Sequence, residues 1–598
     1  MKFSQLAGFF EKIEGTSSRL QITYHLAELL KKIKSSEADK IIYLLQGRVS
    51  PLFEPIEFGM GEKMAAKGVV SALQIDRKFF DKEYKKVGDF GKAVEYFKKQ
   101  FKSFEENDLE VIDVYNNLHR LATSGGAGSQ EIKVNILAHL IRQLDPLSCR
   151  YLVRIVLGVL RLGFSDMTVL DSFSWMIKRD KSLRKDIEKA YHVRPDLGFI
   201  GKTLKEKGEH GLRNIRPAIF TPILMMRAER LSSGKEIIEK IGECGVEPKY
   251  DGFRLQVHFK KNPPAGGEVR LYSRNLEEVS FMYPDIVVGV KRELKVKEAV
   301  FEGEAIGFDP ETGSFLPFQE TVQRKRKYDI AAKAKEIPLK LFVFELLYLN
   351  GKNLLNINFR ERRKELLKIF KPADHSKKNI VFIASDELVS DPKKLELKFE
   401  DAISKGLEGI VAKKLNGIYQ PGARGWNWIK FKRSYSSKIE DTIDCLVMGY
   451  DYGKGKRAGF GIGAFLGGVY DNKKDQFVTV AKIGTGLSDI EWKELRKRCD
   501  KYKINKKPQL YEVDKQMAVD IWIKPKIVVE IKADEITRSS VHTAGRKMKL
   551  SKSGSALDVD IAGYALRFPR LEKFRDDKRP EDATTLKELE GFYREQKK

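Results

Sequence analysis

The stretch Glu247-Pro248-Lys249-Tyr250-Asp251-Gly252-Phe253-Arg254 places a lysine in a Lys-x-Asp-Gly-x-Arg setting. Beyond it, Leu255, Val257 and Phe259 alternate with Gln256, His258 and Lys260, the period of two that predicts a half-buried strand. Asn262 to Gly267 breaks the chain, and Val269, Leu271 and Tyr272 resume it, so a hairpin follows the lysine. Lys249 thus stands after a turn at a strand entrance, outside any helix. A lysine amine attacks phosphorus only when deprotonated, and its free pKa of about 10.4 must be lowered by positive charge, a metal or desolvation. Gly252 lets a nucleotide approach the backbone, Asp251 can hold a turn, and Arg254 offers a planar fork to phosphate or ribose oxygens. The same residues also suit a surface turn carrying solvated charges.

An ordered series downstream separates these readings. Ser273-Arg274-Asn275 is followed by Phe301-Glu302-Gly303-Glu304, Leu341 to Glu345, Glu408 to Lys413 and Trp428 to Lys432. Arg567-Phe568-Pro569-Arg570 and Arg575-Asp576-Asp577-Lys578 close it. In this collinear series the chain resembles the ATP-dependent DNA ligases of archaeal and eukaryotic type, among the covalent nucleotidyltransferases that include RNA ligases and mRNA capping enzymes. The resemblance implies a lysyl-AMP intermediate, transfer of AMP to the 5′-phosphate of a nick, and sealing by the 3′-hydroxyl, in DNA replication, repair and recombination. An RNA ligase or capping-type enzyme shares the lysine chemistry but does not ordinarily combine it with a large helical N-terminal domain and this C-terminal arrangement. A non-catalytic DNA-binding scaffold would not need the whole motif set.

The 111 Lys plus Arg against 84 Asp plus Glu give the 598-residue chain a formal charge of +27, which suits attraction to a phosphate backbone or a merely soluble, charge-rich surface. Abundant Lys and Glu with few Cys fit a thermophilic source. Cys149, Cys244, Cys445 and Cys499 are too far apart for a zinc-ligand cluster, unlike the four-cysteine module typical of NAD-dependent bacterial ligases. No apolar run approaches the roughly 20 residues that span a bilayer, and no signal-peptide pattern opens the chain. A cytoplasmic, DNA-associated monomer is expected.

Pattern changes divide the chain into three regions, a multidomain fold. Over 1–215 the periodicity is helical: Leu6, Phe9, Phe10 and Ile13 share a face, and Ser17 or Ser18 can cap a helix carrying Ile22, Leu26, Leu29, Leu30 and Ile33. This predicts an all-α domain, and the apolar run Leu152 to Gly163 resembles the DNA-binding domain of cellular ligases. Over 216–434, strands alternate with helices, predicting an α+β nucleotidyltransferase (adenylation) domain. Over 437–598, short strands such as Val478 to Ile483 and Ile527 to Ile531, separated by turns such as Gly461 to Gly468, predict a β-barrel OB-fold domain with a C-terminal helix.

The resemblance also implies roles. Lys249 is the nucleophile. Glu247 accepts from the adenine amino group, Phe344 stacks on the base, and Arg254 and Arg274 hold ribose or phosphates, with Arg424 also in the nucleotide site. Lys413, Lys430 and Lys432 meet the triphosphate. Glu304, also against the nucleotide, and Glu408 hold Mg²⁺, a hard cation that prefers oxygen, with Mn²⁺ as a substitute. Arg567 contacts the nucleotide, while Arg570, Arg575 and Lys578 form a lid that orients pyrophosphate. Glu345 stands where many relatives have aspartate. Arg154 and Arg161, with backbone near Gly158 and Gly163, and the run Arg324-Lys325-Arg326-Lys327 on a helix, are expected to meet nicked duplex DNA. Gln100, Phe101 and Phe104 resemble a shortened sliding-clamp box, and equally continue the amphipathic helix of Tyr96 and Phe97.

Overall fold

The computed structural model describes the chain apart from residues 101–106, 161, 263–266, 309–314, 317, 327, 371–378, 405–406, 433–441, 454–459, 485–486, 534, 540, 551–556, 568 and 597–598. Arg161, Phe101, Phe104 and Lys327 therefore lie outside the described residues. Two compact units form, Met1–Lys432 and Arg433–Lys598.

The first unit begins with helices, from Phe3–Glu14 to Leu197–Leu212. Leu6, Phe10 and Ile13 are buried on the first of them, and Phe9 is half-buried with the Lys12 and Lys32 ammonium groups over its ring. Ser18 caps helix Arg19–Lys32 by accepting from the Gln21 amide, and Ile22, Leu26, Leu29 and Leu30 point inward. A single hydrophobic core joins these faces to helix Pro146–Val156. Gln100 ends helix Phe90–Gln100, in which Phe97 is buried and Tyr96 exposed.

Arg154 corrects one expectation. Its side chain is 1% exposed and ion-paired to Glu14 at 2.9 Å and Asp89 at 2.8 Å, so it links three helical segments and has no free face for DNA. Arg324 corrects another. It ends a short 3-10 turn, Val322–Arg324, and is buried, with its guanidinium forked on Asp285 at 2.8 and 2.9 Å and donating to the Ile337 carbonyl. The basic run is thus split between a structural arginine and the more open Lys325 and Arg326.

Two sheets follow in the same unit. One runs Arg227–Arg230, Arg424–Lys432, Gly409–Lys414, Cys244–Lys249, Glu387–Val389. The other runs Glu268–Tyr272, Phe253–Lys260, Glu298–Gly307, Leu339–Leu349, Lys352–Asn353, with Val381–Ile383 beside Leu339–Leu349. Lys249 closes a strand of the first sheet, and after three intervening residues the chain enters the second at Phe253. The predicted hairpin is present, Phe253–Lys260 pairing antiparallel with Glu268–Tyr272, but a strand precedes the lysine where a turn is expected. Gly252 is demanded by the chain itself: a Cβ there would lie 2.2 Å from the Ala305 carbonyl oxygen. Close packing of the crossover onto the strand of Glu304, as well as access for a ligand, needs glycine.

The second unit is sheet-rich. Ile443–Asp451, Ala464–Asp471 and Gln476–Ile483 form consecutive antiparallel strands, and Val528–Lys532 joins Ile443–Asp451 to Arg570–Phe574. Helices Asp489–Asp500 and Leu586–Glu595 pack on its core through Trp492, Leu495 and Leu589. Gly467 and Gly468, expected in a turn, lie inside Ala464–Asp471 at a register shift.

Removing the Arg154 cation leaves Glu14 and Asp89 uncompensated. Arg154→Met is expected to lower the unfolding free energy in denaturant titration by about 3 kcal/mol, with the salt dependence of DNA binding unchanged.

Candidate active site

Between the two sheets lies a cavity of about 550 Å³ lined by Lys249, Glu247, Arg254, Arg274, Glu304, Phe344, Glu408, Lys413, Arg424, Lys430 and Lys432. Residues spread over 186 positions of sequence, from Glu247 to Lys432, are gathered by sheet register. Gly409 pairs with Lys249 and Lys432, Val411 with Glu247 and Lys430, and Glu304 with Arg254. Alternation along Arg424–Lys432 then turns Arg424, Trp428, Lys430 and Lys432 to one side. Trp428 belongs to the site although only its motif is noted in the sequence; that same alternation is the signal that finds it. Lys325 also lines the cavity, and Arg227 comes from a strand outside the motif series.

Lys249 is ion-paired to Glu408, whose other oxygen accepts from Lys432 at 2.9 Å. The pairing is built into the backbone, since the Glu408 amide donates to the Lys249 carbonyl at 3.0 Å. Gly409, just beyond, adopts φ +145°, and a Cβ there would meet the Phe431 carbonyl oxygen at 2.4 Å. Burial raises the Glu408 carboxyl, but Lys249 and Lys432 outweigh it, and its pKa lies below the ordinary range. Glu304 differs. Burial pushes it up to about 7, and Lys249 and Arg254 only partly oppose this. Burial, then Lys432, Arg424 and Lys249, push the Lys430 ammonium down. Glu304 sits within Glu298–Gly307, whereas Glu408 directly precedes its strand.

Two carboxylates beside clustered lysines form an oxygen donor set. No side-chain hydrogen bond or ion pair among the described residues engages Glu304, and a divalent cation would supply the charge its buried carboxyl lacks. With only two protein carboxylates, most of such an ion's ligands would be water and phosphate.

At the other end of the cavity, Phe344 is half-buried, edge-on to Trp428 at 6.1 Å, with Arg254 5.5 Å from its ring. Arg254 is fixed by the buried Glu302 at 2.7 Å, which also receives Gln256 at 3.1 Å and Tyr419 at 3.0 Å. Lys413 lines the cavity with its side chain 1% exposed, its ammonium donating to the Phe344 carbonyl at 2.7 Å and pairing with Glu247 at 2.8 Å. Glu247 keeps one buried oxygen, Oε1, without a hydrogen-bond donor. Arg274 and Arg424 are exposed at the cavity's edge. Glu345 is removed from ligand chemistry by a buried fork with Arg362 at 2.8 and 2.9 Å.

In the second unit, Arg575 pairs with Asp444, Glu530 and Asp577, and Lys578 with Asp444 at 2.6 Å. Arg567 ends strand Gly563–Arg567 opposite Glu535, and Arg570 opens Arg570–Phe574 as an exposed residue. Among the described residues, no helix is long and apolar enough to cross a membrane.

Because the Glu304 carboxyl titrates higher in the folded chain than when unfolded, the native state holds the extra proton between about pH 4.5 and 7, and stability falls as pH rises through that window. Glu304→Gln is therefore expected to raise the thermal midpoint at pH 8 and to leave it unchanged near pH 4.

Three family models match the chain: "DNA ligase N terminus" over residues 2–174, "ATP dependent DNA ligase domain" over 225–432 and "ATP dependent DNA ligase C terminal region" over 458–578. A Dictyoglomus turgidum protein named "Probable DNA ligase" is 46% identical, covering 100% of this chain and 98% of that protein. "DNA ligase 2" of Thermofilum pendens is 41% identical with the same coverage of each. The solved structure named "Pmar-Lig_PreS3" shares the fold at TM-score 0.52 and 16% identity, covering 95% of this chain and 99% of that one. Site, fold and relatives agree, and the chain belongs to the ATP-dependent DNA ligase family.

Proposed function

We propose that this chain seals nicks in duplex DNA, with Lys249 carrying AMP between ATP and the 5′-phosphate. The observation that carries the reading is the Lys249–Glu408 pair in a cavity that also holds Arg254, Lys430 and Lys432. The Lys249 amine attacks the α-phosphorus of ATP, a P–N bond forms, and the P–O bond to pyrophosphate breaks. The 5′-phosphate of the nick then displaces the lysine from AMP, and the 3′-hydroxyl displaces AMP to close the strand. Each step is in-line phosphoryl transfer, so the protein's part is positioning and charge neutralisation.

Glu247 faces the adenine amino group, Phe344 stacks on the base, and Arg254, Arg274 and Arg424 hold ribose and phosphates. Lys430 and Lys432 neutralise phosphate oxygens. Glu304 and Glu408 would hold Mg²⁺, or Mn²⁺ in its place, which when bound neutralises charge on the reacting phosphates. Glu408 pairs with Lys249 and would also be a ligand of such an ion, so the carboxylate stands between the nucleophile and the cation site.

The division into a DNA-binding domain (1–215), an adenylation domain (216–434) and an OB-fold domain (437–598) remains our reading, as does a lid role for Arg567, Arg570, Arg575 and Lys578. Arg575 and Lys578 would have to exchange their carboxylate partners for pyrophosphate to act so. Lys325 and Arg326 are the described cations of their run proposed to meet DNA. A clamp contact through Gln100, Phe101 and Phe104 and a monomeric state complete the reading.

Incubation with α-labelled ATP and Mg²⁺ is expected to label the natural chain covalently and to leave Lys249→Ala unlabelled and unable to seal nicks from free ATP. A labelled Lys249→Ala chain overturns the assignment.

A further inference from the structure

Helix Phe359–Ile369 buries two consecutive arginines, and they serve different carboxylates. Arg362 neutralises Glu345 through the fork described above. Arg363, 7% exposed, turns instead toward the floor of the nucleotide cavity, where its Nη1 stands 3.6 Å from Glu247 Oε1. The same guanidinium is anchored through Nη2 by Asp386 at 2.7 Å and by the Ala384 carbonyl. Its Nε and Nη1, both buried, have no hydrogen-bond partner, and neither does Glu247 Oε1. Buried donors left unmet next to a buried acceptor left unmet are costly to a fold, and such a place calls for a functional reason.

We propose that Arg363 is a positioning residue for base selection: its cation faces Glu247 Oε1 from a distance too long for a hydrogen bond, favouring the carboxylate while leaving that oxygen as an acceptor for a 6-amino purine. This rests on the reading of Glu247 as the group that faces the base. An ionised carboxylate can only accept, so it matches the exocyclic amine of adenine and opposes the 6-oxo group of guanine. A protonated carboxyl could donate and would lose that discrimination. Burial, with the Glu345 carboxylate acting the same way, holds the Glu247 carboxyl above its ordinary range; Lys413 and Arg363 are the two cations that oppose this, so loss of either moves Glu247 further toward the protonated form. Lys413 spends its contact on Oε2. Arg363 acts on the other oxygen through space, and at 3.6 Å it does not occupy the lone pairs a base amine would use. The competing role for Arg363 is purely structural, as the partner of Asp386.

The test is covalent labelling of the full-length chain by α-labelled ATP or GTP with Mg²⁺, reading KM and saturating rate separately. The natural chain is expected to prefer ATP to GTP strongly; equal use of the two overturns the proposal without any variant. Arg363→Met is expected to raise KM for ATP and to narrow the ATP-to-GTP preference by about tenfold or more, with the saturating ATP rate little changed, whereas Arg363→Lys keeps the preference within about threefold. If Arg363→Met does not fold, Arg363→Gln takes its place. A variant that folds and retains the natural preference, or that loses saturating rate with both nucleotides alike, shows a structural role only and overturns the proposal. Glu247→Gln separates the two readings. If it leaves the preference intact, Glu247 does not read the base. If it narrows the preference while Arg363→Met does not, the assignment of Arg363 alone fails.

Discussion

Lys249 and Glu408 neutralise each other at the end of adjacent strands, and the rest of the site is arranged around that bond. Without that carboxylate, a lysine amid Arg254, Lys430 and Lys432 would be a poorly tolerated charge. The carboxylate resolves this. It is held beside Lys249 by the backbone hydrogen bond between the two residues and is shared with Lys432. Rigid strands that hold charge in place suit a reaction whose catalysis is positioning and neutralisation.

The same logic recurs away from the nucleophile. Each buried carboxylate near the cavity has a dedicated cation: Glu302 has Arg254, Glu345 has Arg362, and Glu247 has Lys413 with Arg363 beyond it. Buried pairs of this kind add little net stability, because desolvation offsets their attraction. What they supply is orientation. Arg254 stands beside the Phe344 ring because Glu302, itself held by Gln256 and Tyr419, leaves it no other place. Glu304 is the exception: no side-chain hydrogen bond or ion pair among the described residues engages it, and burial pushes its carboxyl up to about 7.

The motif series made much of this legible in advance, because strand alternation and register translate spacing into facing. The hairpin after Lys249, the capped helix at Ser18 and the polar side of Arg424–Lys432 all follow from local pattern. What stayed hidden was burial of charge. Arg154 and Arg324 read as DNA-facing cations, and Lys413 as a triphosphate contact, yet each is enclosed by partners distant in sequence: Glu14 and Asp89, Asp285, and Glu247. Period and composition carry no trace of such long-range pairing. Gly252 illustrates the reverse, since its place in a motif suggests a ligand while its own neighbouring strand already requires it.

If Lys249 is the amine that carries the nucleotide, peptide mapping by mass spectrometry will locate AMP there once the natural chain has reacted with ATP and Mg²⁺, provided acid is avoided beforehand. AMP is expected on the peptide containing Lys249 and nowhere else; AMP on Lys430, Lys432 or any other side chain would assign the nucleophile elsewhere.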